Sequence, residues 1–173
     1  MAKGLLIVYT GHGKGKTTAA LGLMLRALGH GFKTCVVQFI KGSRTYGELE
    51  AVKRFSDLLE FHVVGKGFLW KSKNIKEDQQ LAQEGWDFAK HALTSGEFKI
   101  VVLDELTYLI KYGFVQEEQI LDALRNRASG VHVIVTGRDA PSGLLQMADL
   151  VTEMKEIKHP YRSGVKAAKG IEF

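Results

Sequence analysis

The sequence predicts an α/β fold in which a mostly parallel sheet carries helices on both faces, and two observations support this. Short apolar runs alternate with longer amphipathic stretches along the whole chain, the pattern of strands joined by helical crossovers. Several runs, such as Ile100-Val101-Val102-Leu103, are apolar at consecutive positions, as strands buried on both faces must be.

The elements follow in order. Strands are expected at residues 5–10, 33–39, 59–64, 100–104 and 132–136, with a short one at 150–152. A helix at 17–28 is ended by Gly29. A second, at 76–93, sets Ala82, Trp86, Ala89 and Leu93 on one face, and a third is expected at about 115–127. Three glycine-containing segments rich in Lys or Arg break the rhythm, at 41–46, at 66–74 and from 155 onward. Loops at strand ends are where α/β proteins bind ligands.

At 173 residues the chain suits one well-buried domain, covering 1–173. Hydrophobic residues are 45% and charged residues 25%, near the average for globular proteins, and no apolar run approaches a membrane span. The apolar segment 5–8 is too short for a signal-peptide core, so a cytoplasmic location is expected. Cys35, the single cysteine, sits in an apolar run and is expected to be a buried structural thiol in a reducing compartment. The net charge of +5 tilts toward an anionic partner without requiring nucleic acid.

After the first strand comes Thr10-Gly11-His12-Gly13-Lys14-Gly15-Lys16-Thr17-Thr18. Glycines can turn backbone N–H groups toward phosphate oxygens, the following helix adds partial positive charge, Lys16 adds a full charge, and the Thr17 hydroxyl can ligate Mg²⁺. The dinucleotide fingerprint G-x-G-x-x-G fails, because the third position after Gly13 is Lys16. The usual phosphate loop, G-x-x-x-x-G-K-[ST], would need glycine where this chain has Thr10, so the loop is one residue short. A contracted loop is expected to hold a triphosphate differently from one poised for γ-phosphoryl transfer.

The fourth strand ends in Asp104-Glu105. Such a pair suits a hard cation on a triphosphate, which takes oxygen ligands and keeps several waters, so both are metal-site candidates. A helix N-cap role for Asp104 is the structural alternative. Arg138 follows the fifth strand, with a surface ion pair as its alternative. Phe68 and Trp70 lie in a loop rich in glycine and lysine, where they either face a ligand or anchor the loop.

The ordered segments Gly11-His12-Gly13-Lys14-Gly15-Lys16-Thr17-Thr18-Ala19-Ala20, Val37-Gln38-Phe39-Ile40-Lys41-Gly42, Gly67-Phe68-Leu69-Trp70, Val102-Leu103-Asp104-Glu105, Val135-Thr136-Gly137-Arg138, Ala148-Asp149-Leu150-Val151-Thr152-Glu153-Met154 and Gly164-Val165-Lys166-Ala167-Ala168-Lys169-Gly170-Ile171-Glu172-Phe173 resemble the cobalamin adenosyltransferases of the bacterial corrinoid-salvage type. The match spans almost the whole chain and includes the shortened loop. The resemblance implies a RecA-like P-loop NTPase fold, usually a homodimer, that binds MgATP with its 5′ carbon toward the acceptor. Co(I) of the corrinoid substrate attacks C5′, and triphosphate leaves.

On this resemblance ATP is the co-substrate, held by residues 11–18 and Arg138, and Mg²⁺ is held by Thr17, Asp104 and Glu105. Lys16 and Thr17 neutralise the leaving group. Phe68 and Trp70 would cover the corrinoid's lower face and displace its axial ligand, easing reduction to Co(I) by a flavodoxin-type partner. His12 stands where many relatives carry asparagine and is expected to act as a neutral hydrogen-bonding imidazole. Some relatives also have an N-terminal extension that helps cover the corrinoid, whereas this sequence begins almost at its first strand. The basic tail, with Lys155, Lys158, His159, Arg162, Lys166 and Lys169, either closes over phosphate or is solvated surface. Two rivals remain at this level: an ATPase or kinase acting at the γ-phosphate, and a RecA-type nucleic-acid-binding module whose contacts would weaken steeply with salt.

Overall fold

Strand residues alternate between two cores, one on each side of the sheet. The computed structural model describes residues 3–40, 46–65 and 75–172. Six strands, β1 (Leu6–Thr10), β2 (Thr34–Phe39), β3 (Leu59–Val64), β4 (Ile100–Asp104), β5 (His132–Thr136) and β6 (Leu150–Glu153), lie in the order β3-β2-β4-β5-β1-β6. Every neighbouring pair is parallel. Among the described residues six α-helices connect or follow them: α1 (Lys16–Gly29), α2 (Gly47–Val52), α3 (Ile75–Thr94), α4 (Thr107–Lys111), α5 (Glu117–Arg125) and α6 (Ser142–Met147).

The pleat sends successive side chains to opposite faces. Ile7, Val36, Val102 and Ile134 meet Ala20, Met24 and Leu28, which recur every fourth residue on α1. Their neighbours Leu6, Val8, Cys35, Val37, Val101, Leu103, Val133 and Val135 face the other core. There Ala82, Trp86, Ala89 and Leu93 of α3 join Ile120 and Leu124 of α5 and Leu144 of α6, so the α3 stripe expected from the sequence is the buried one. Trp86 is 1% exposed; truncating it to alanine would cost about 3–5 kcal/mol. Cys35 is fully buried, and burial pushes its thiol up to about 12.

Several boundaries differ from expectation. The first helix runs through Gly29, and the left-handed turn falls at Gly31 (φ 72°). The helix expected from residue 115 starts at Glu117, because Gln116 and Gln119 form a reciprocal capping box and Val115 is buried ahead of it. Three short helices, α2, α4 and α6, were not anticipated; at five or six residues each they are too short to show a helical repeat. Phe68, Trp70 and the rest of 66–74 lie outside the described residues, as do 41–45.

Because all six strands point the same way, the loops after β1, β4 and β5 open at one end of the sheet. The chain leaves β1 toward one face and leaves β4 and β5 toward the other. That divergence makes the crevice in which open α/β sheets bind ligands.

Candidate active site

The phosphate loop spans β1 and α1. Gly15, the N-cap of the helix, has φ 106° and offers no side chain to cap α1. The first N–H groups of a helix have no partner within it, so an uncapped start presents them, with the helix's partial positive charge, to an anion. Lys16 is 7% exposed, and its Nζ donates to the carbonyls of Gly11 (2.7 Å) and Gly13 (2.8 Å). Its pKa is lowered, chiefly by burial; Glu105 and Asp104 pull it back up, while the Arg138 charge lowers it further. A dehydrated ammonium held this way gains most from a polyanion.

The glycines serve a purpose that sequence reasoning missed. A Cβ at Gly11 would lie 2.4 Å from the Met154 carbonyl oxygen, and one at Gly13 would lie 2.8 Å from the backbone of Lys155. The residues just beyond β6 therefore pack directly on the loop. The Gly13 N–H donates to the Met154 carbonyl at 2.7 Å, and the Met154 N–H donates to the Thr10 carbonyl at 2.9 Å. The Gly13 amide, expected among those that face phosphate, donates here to a protein carbonyl. In the contracted loop it is tied to the protein's own backbone.

At the end of β4, Asp104 is completely buried. Its Oδ1 accepts from the hydroxyls of Thr17 (2.8 Å) and Thr136 (2.6 Å), and its Oδ2 accepts from Gln38 Nε2 (3.0 Å). Four elements thus converge on one carboxylate: α1, β2, β4 and β5. Asp104 does not cap the following helix, since the residue preceding α4 is Leu106 and no side chain caps it. Glu105 takes the left-handed conformation (φ 63°) and donates its N–H to Thr136 Oγ1 at 2.9 Å. The oxygen donors Thr17, Asp104 and Glu105 suit a hard divalent ion. Among the described residues no cluster of three or more His, Cys, Asp or Glu could hold a metal.

Arg138 is exposed at the end of β5, and among the described residues it pairs with no carboxylate. Its backbone is fixed instead: its carbonyl accepts from Thr107 Oγ1 at 2.7 Å. Gly137 has φ 150°, and a Cβ there would lie 2.0 Å from the same hydroxyl. His12 meets Asp139, Nε2 to Oδ1, at 3.1 Å, and Lys111 donates to the other oxygen of Asp139 at 3.0 Å. Asp139 is held below the usual carboxylate range, chiefly by that Lys111 bond. The imidazole expected at the nucleotide is thus tied sideways to the loop that carries Arg138. Lys14 pairs with Glu172, and Thr18 is exposed on the first turn of α1. Within the basic tail, Arg162 binds Glu156 at 2.6 Å.

Sequence and fold comparisons bear on the family and the fold. The family model for the ATP:corrinoid adenosyltransferases BtuR/CobO/CobP matches residues 2–173. The chain belongs to that family. As an ATP:corrinoid adenosyltransferase it is 42% identical to a corrinoid adenosyltransferase of Pseudomonas aeruginosa over 99% of this chain and 84% of that one. It is also 42% identical to a corrinoid adenosyltransferase of Escherichia coli K12 over 99% and 86%, and 41% identical to the corrinoid adenosyltransferase CobA of Salmonella typhimurium over the same shares. The flagellar accessory protein FlaH of Methanocaldococcus jannaschii superposes with a TM-score of 0.58 at 16% identity, covering 88% of this chain and 72% of that one. That likeness concerns the fold alone and supports the RecA-like α/β arrangement. Among the described residues, no helix is long and apolar enough to cross a membrane.

Proposed function

We propose that this ATP:corrinoid adenosyltransferase uses Lys16, Thr17 and the start of α1 to bind the triphosphate of ATP as a leaving group, while C5′ is presented to Co(I) of the corrinoid. A Co–C5′ bond forms, the C5′–O bond breaks, and the electron pair departs with inorganic triphosphate. The observation that carries this reading is the convergence of buried Lys16 and uncapped α1 on one side with the Thr17–Asp104 contact on the other. The chain supplies charge neutralisation and alignment, so no protein nucleophile or general base is required. Thr17, Asp104 and Glu105 would hold Mg²⁺, which would supply further charge stabilisation to the triphosphate. Arg138, whose charge already acts on Lys16, would hold the nucleotide or the corrinoid from the β5 side. His12, Gly11, Gly15, Lys14 and Thr18 complete the loop that encloses the phosphates, while Gly13 contributes the loop's attachment to β6.

Phe68 and Trp70 are assigned on the family resemblance to the corrinoid's lower face, where removing the axial ligand eases reduction of Co(II). The reductant would be a flavodoxin-type protein, the working unit a homodimer formed from single-domain chains, and the location the cytoplasm. A Trp70→Ala variant should keep ATP binding and adenosylation of chemically supplied Co(I), and lose adenosylation that starts from Co(II).

The deciding experiment is an anaerobic incubation with MgATP and chemically reduced Co(I)alamin, identifying both products. Light-sensitive adenosylcobalamin with stoichiometric triphosphate is expected. Orthophosphate without an adenosylated corrinoid would instead place the chemistry at the γ-phosphate.

A further inference from the structure

A second pocket opens at the same end of the sheet, beyond β2 and β3. It is lined by Phe39, Ile40, Val64, Ala82, Leu109 and Phe114, together with Gly65 and one acidic side chain, Asp78 of α3. Asp78 is 8% exposed, and its buried Oδ2 has no hydrogen-bond partner among the described residues. A buried acceptor with no donor costs stability, and native chains rarely keep one without a use.

The backbone around the pocket is strained as well. Ile40 is a β-branched residue with φ 72°, and Gly65 has φ 112°. A Cβ on Gly65 would lie 3.3 Å from the Ile40 backbone. Strain of this kind concentrates at ligand clamps. The pocket is also tied to the nucleotide site: Phe39 follows Gln38, which binds Asp104. Between β2 and β1 lie β4 and β5, so the pocket and the phosphate loop are separated by about 14 Å, three strand spacings of about 4.8 Å.

We propose that this pocket is a specificity subsite for the rim of the acceptor, in which Asp78 Oδ2 accepts an N–H from a primary-amide side chain while the apolar lining covers the adjoining hydrocarbon. The proposal rests on the corrinoid reading above, because a corrinoid is a large apolar macrocycle whose edge carries amide-terminated arms. A rim carboxylate in the same place has no N–H to offer and would leave the buried oxygen unpaired. The subsite would therefore discriminate amidated from non-amidated corrinoids.

The test compares wild type, Asp78→Asn and Asp78→Ala with chemically reduced corrinoid. Cobyric acid, whose rim arms are largely amides, is set against cobyrinic acid, whose arms are carboxylates. For Asp78→Ala the KM for cobyric acid is expected to rise about tenfold, the loss of one hydrogen bond to a carboxylate, with the KM for MgATP unchanged. The preference for cobyric over cobyrinic acid should shrink by a similar factor. Asp78→Asn, which keeps an acceptor oxygen, should fall between, with a Tm equal to or above that of wild type. Unchanged corrinoid constants in both variants, an unchanged preference, or a marked fall in the Tm of Asp78→Asn would overturn the proposal. A wild-type protein that adenosylates neither corrinoid would refute the activity itself, whereas an active wild type with indifferent variants would refute the subsite alone.

Discussion

Thr17 Oγ1 donates to Asp104 Oδ1 at 2.8 Å, joining the first turn of α1 to the end of β4 across 87 residues of sequence. The contact sets a hydroxyl and a carboxylate oxygen side by side next to Lys16, the arrangement a cation bound to triphosphate requires. Thr136 and Gln38 hold the same carboxylate from β5 and β2, so Asp104, proposed above as a metal ligand, is also the point at which three strands and a helix are tied together.

The two roles of Asp104 should separate by substitution. Asp104→Ala leaves two hydroxyls and a carboxamide facing a void, and a loss of roughly 2–3 kcal/mol of stability is expected. Asp104→Asn preserves the shape, and hydroxyl partners can reverse their bonds to meet it, so its denaturation midpoint should stay much closer to wild type. Both variants should lose at least about 100-fold in kcat at fixed Mg²⁺, a loss the size of one electrostatic contact made at the leaving group. Urea denaturation alongside a Mg²⁺ titration of turnover checks both parts; an Asn variant with wild-type turnover would remove Asp104 from the metal site.

Gly137 is the hinge on which Arg138 is presented. Alanine there would bring a Cβ to 2.0 Å from Thr107 Oγ1 at a φ of 150°. Overpacking and backbone strain together are expected to cost about 3 kcal/mol, which for a chain of this size lowers Tm by roughly 10 °C. Because Thr107 also holds the Arg138 carbonyl, the variant's KM for ATP or corrinoid should rise in parallel with that of Arg138→Ala. Calorimetry and steady-state kinetics on the two variants would expose any mismatch.

Cys35 makes an alkaline prediction. Its thiol is raised from 9.0 to about 12 by burial, with Glu60 adding to the effect. Below pH 9.0 the thiol is neutral in both folded and unfolded chains and favours neither. Between 9.0 and about 12 the unfolded chain ionises first and is favoured, so stability contributed at neutral pH is lost across that window. A Cys35→Ala variant should show a shallower alkaline decline in urea midpoints, and in the native wild type iodoacetamide should label Cys35 only as the protein unfolds.

Lys16, Thr17 and Asp104 were legible in the sequence because each sits at a fixed offset from a strand end, where the chemistry leaves little freedom of residue type. Gln38 carried a weaker signal, a lone polar residue inside the apolar run of β2, whose meaning appears only when β2 lies beside β4. The role of Met154 at the phosphate loop could not be read, since it is a backbone contact made over about 140 residues and any side chain could supply its carbonyl. The pairing of His12 with Asp139 was hidden for the same reason: nothing within either local segment requires the other. Short helices such as α4 escape notice because tertiary packing of Leu109, rather than a repeating pattern, stabilises them.

The depressed pKa of Lys16 gives nucleotide binding its own pH dependence. Burial favours the neutral amine, Arg138 adds to that tendency, and Glu105 and Asp104 oppose it. Between the folded pKa and the ordinary value of 10.5, the native chain holds fewer protons at Lys16 than the unfolded one, so this residue's contribution to unliganded stability rises with pH. Triphosphate reverses the balance, because a polyanion favours the ammonium and binding must then take up a proton. ATP affinity should therefore begin to weaken at a pH below that expected for an exposed lysine, with proton uptake on that limb measurable by calorimetry in buffers of different ionisation enthalpy. Lys16→Arg cannot lose its charge in this range, so it should bind more weakly at neutral pH, because its fork does not fit the Gly11 and Gly13 carbonyls, yet show no alkaline decline. If the arginine variant and the wild type weaken in parallel as pH rises, the titrating group is not Lys16.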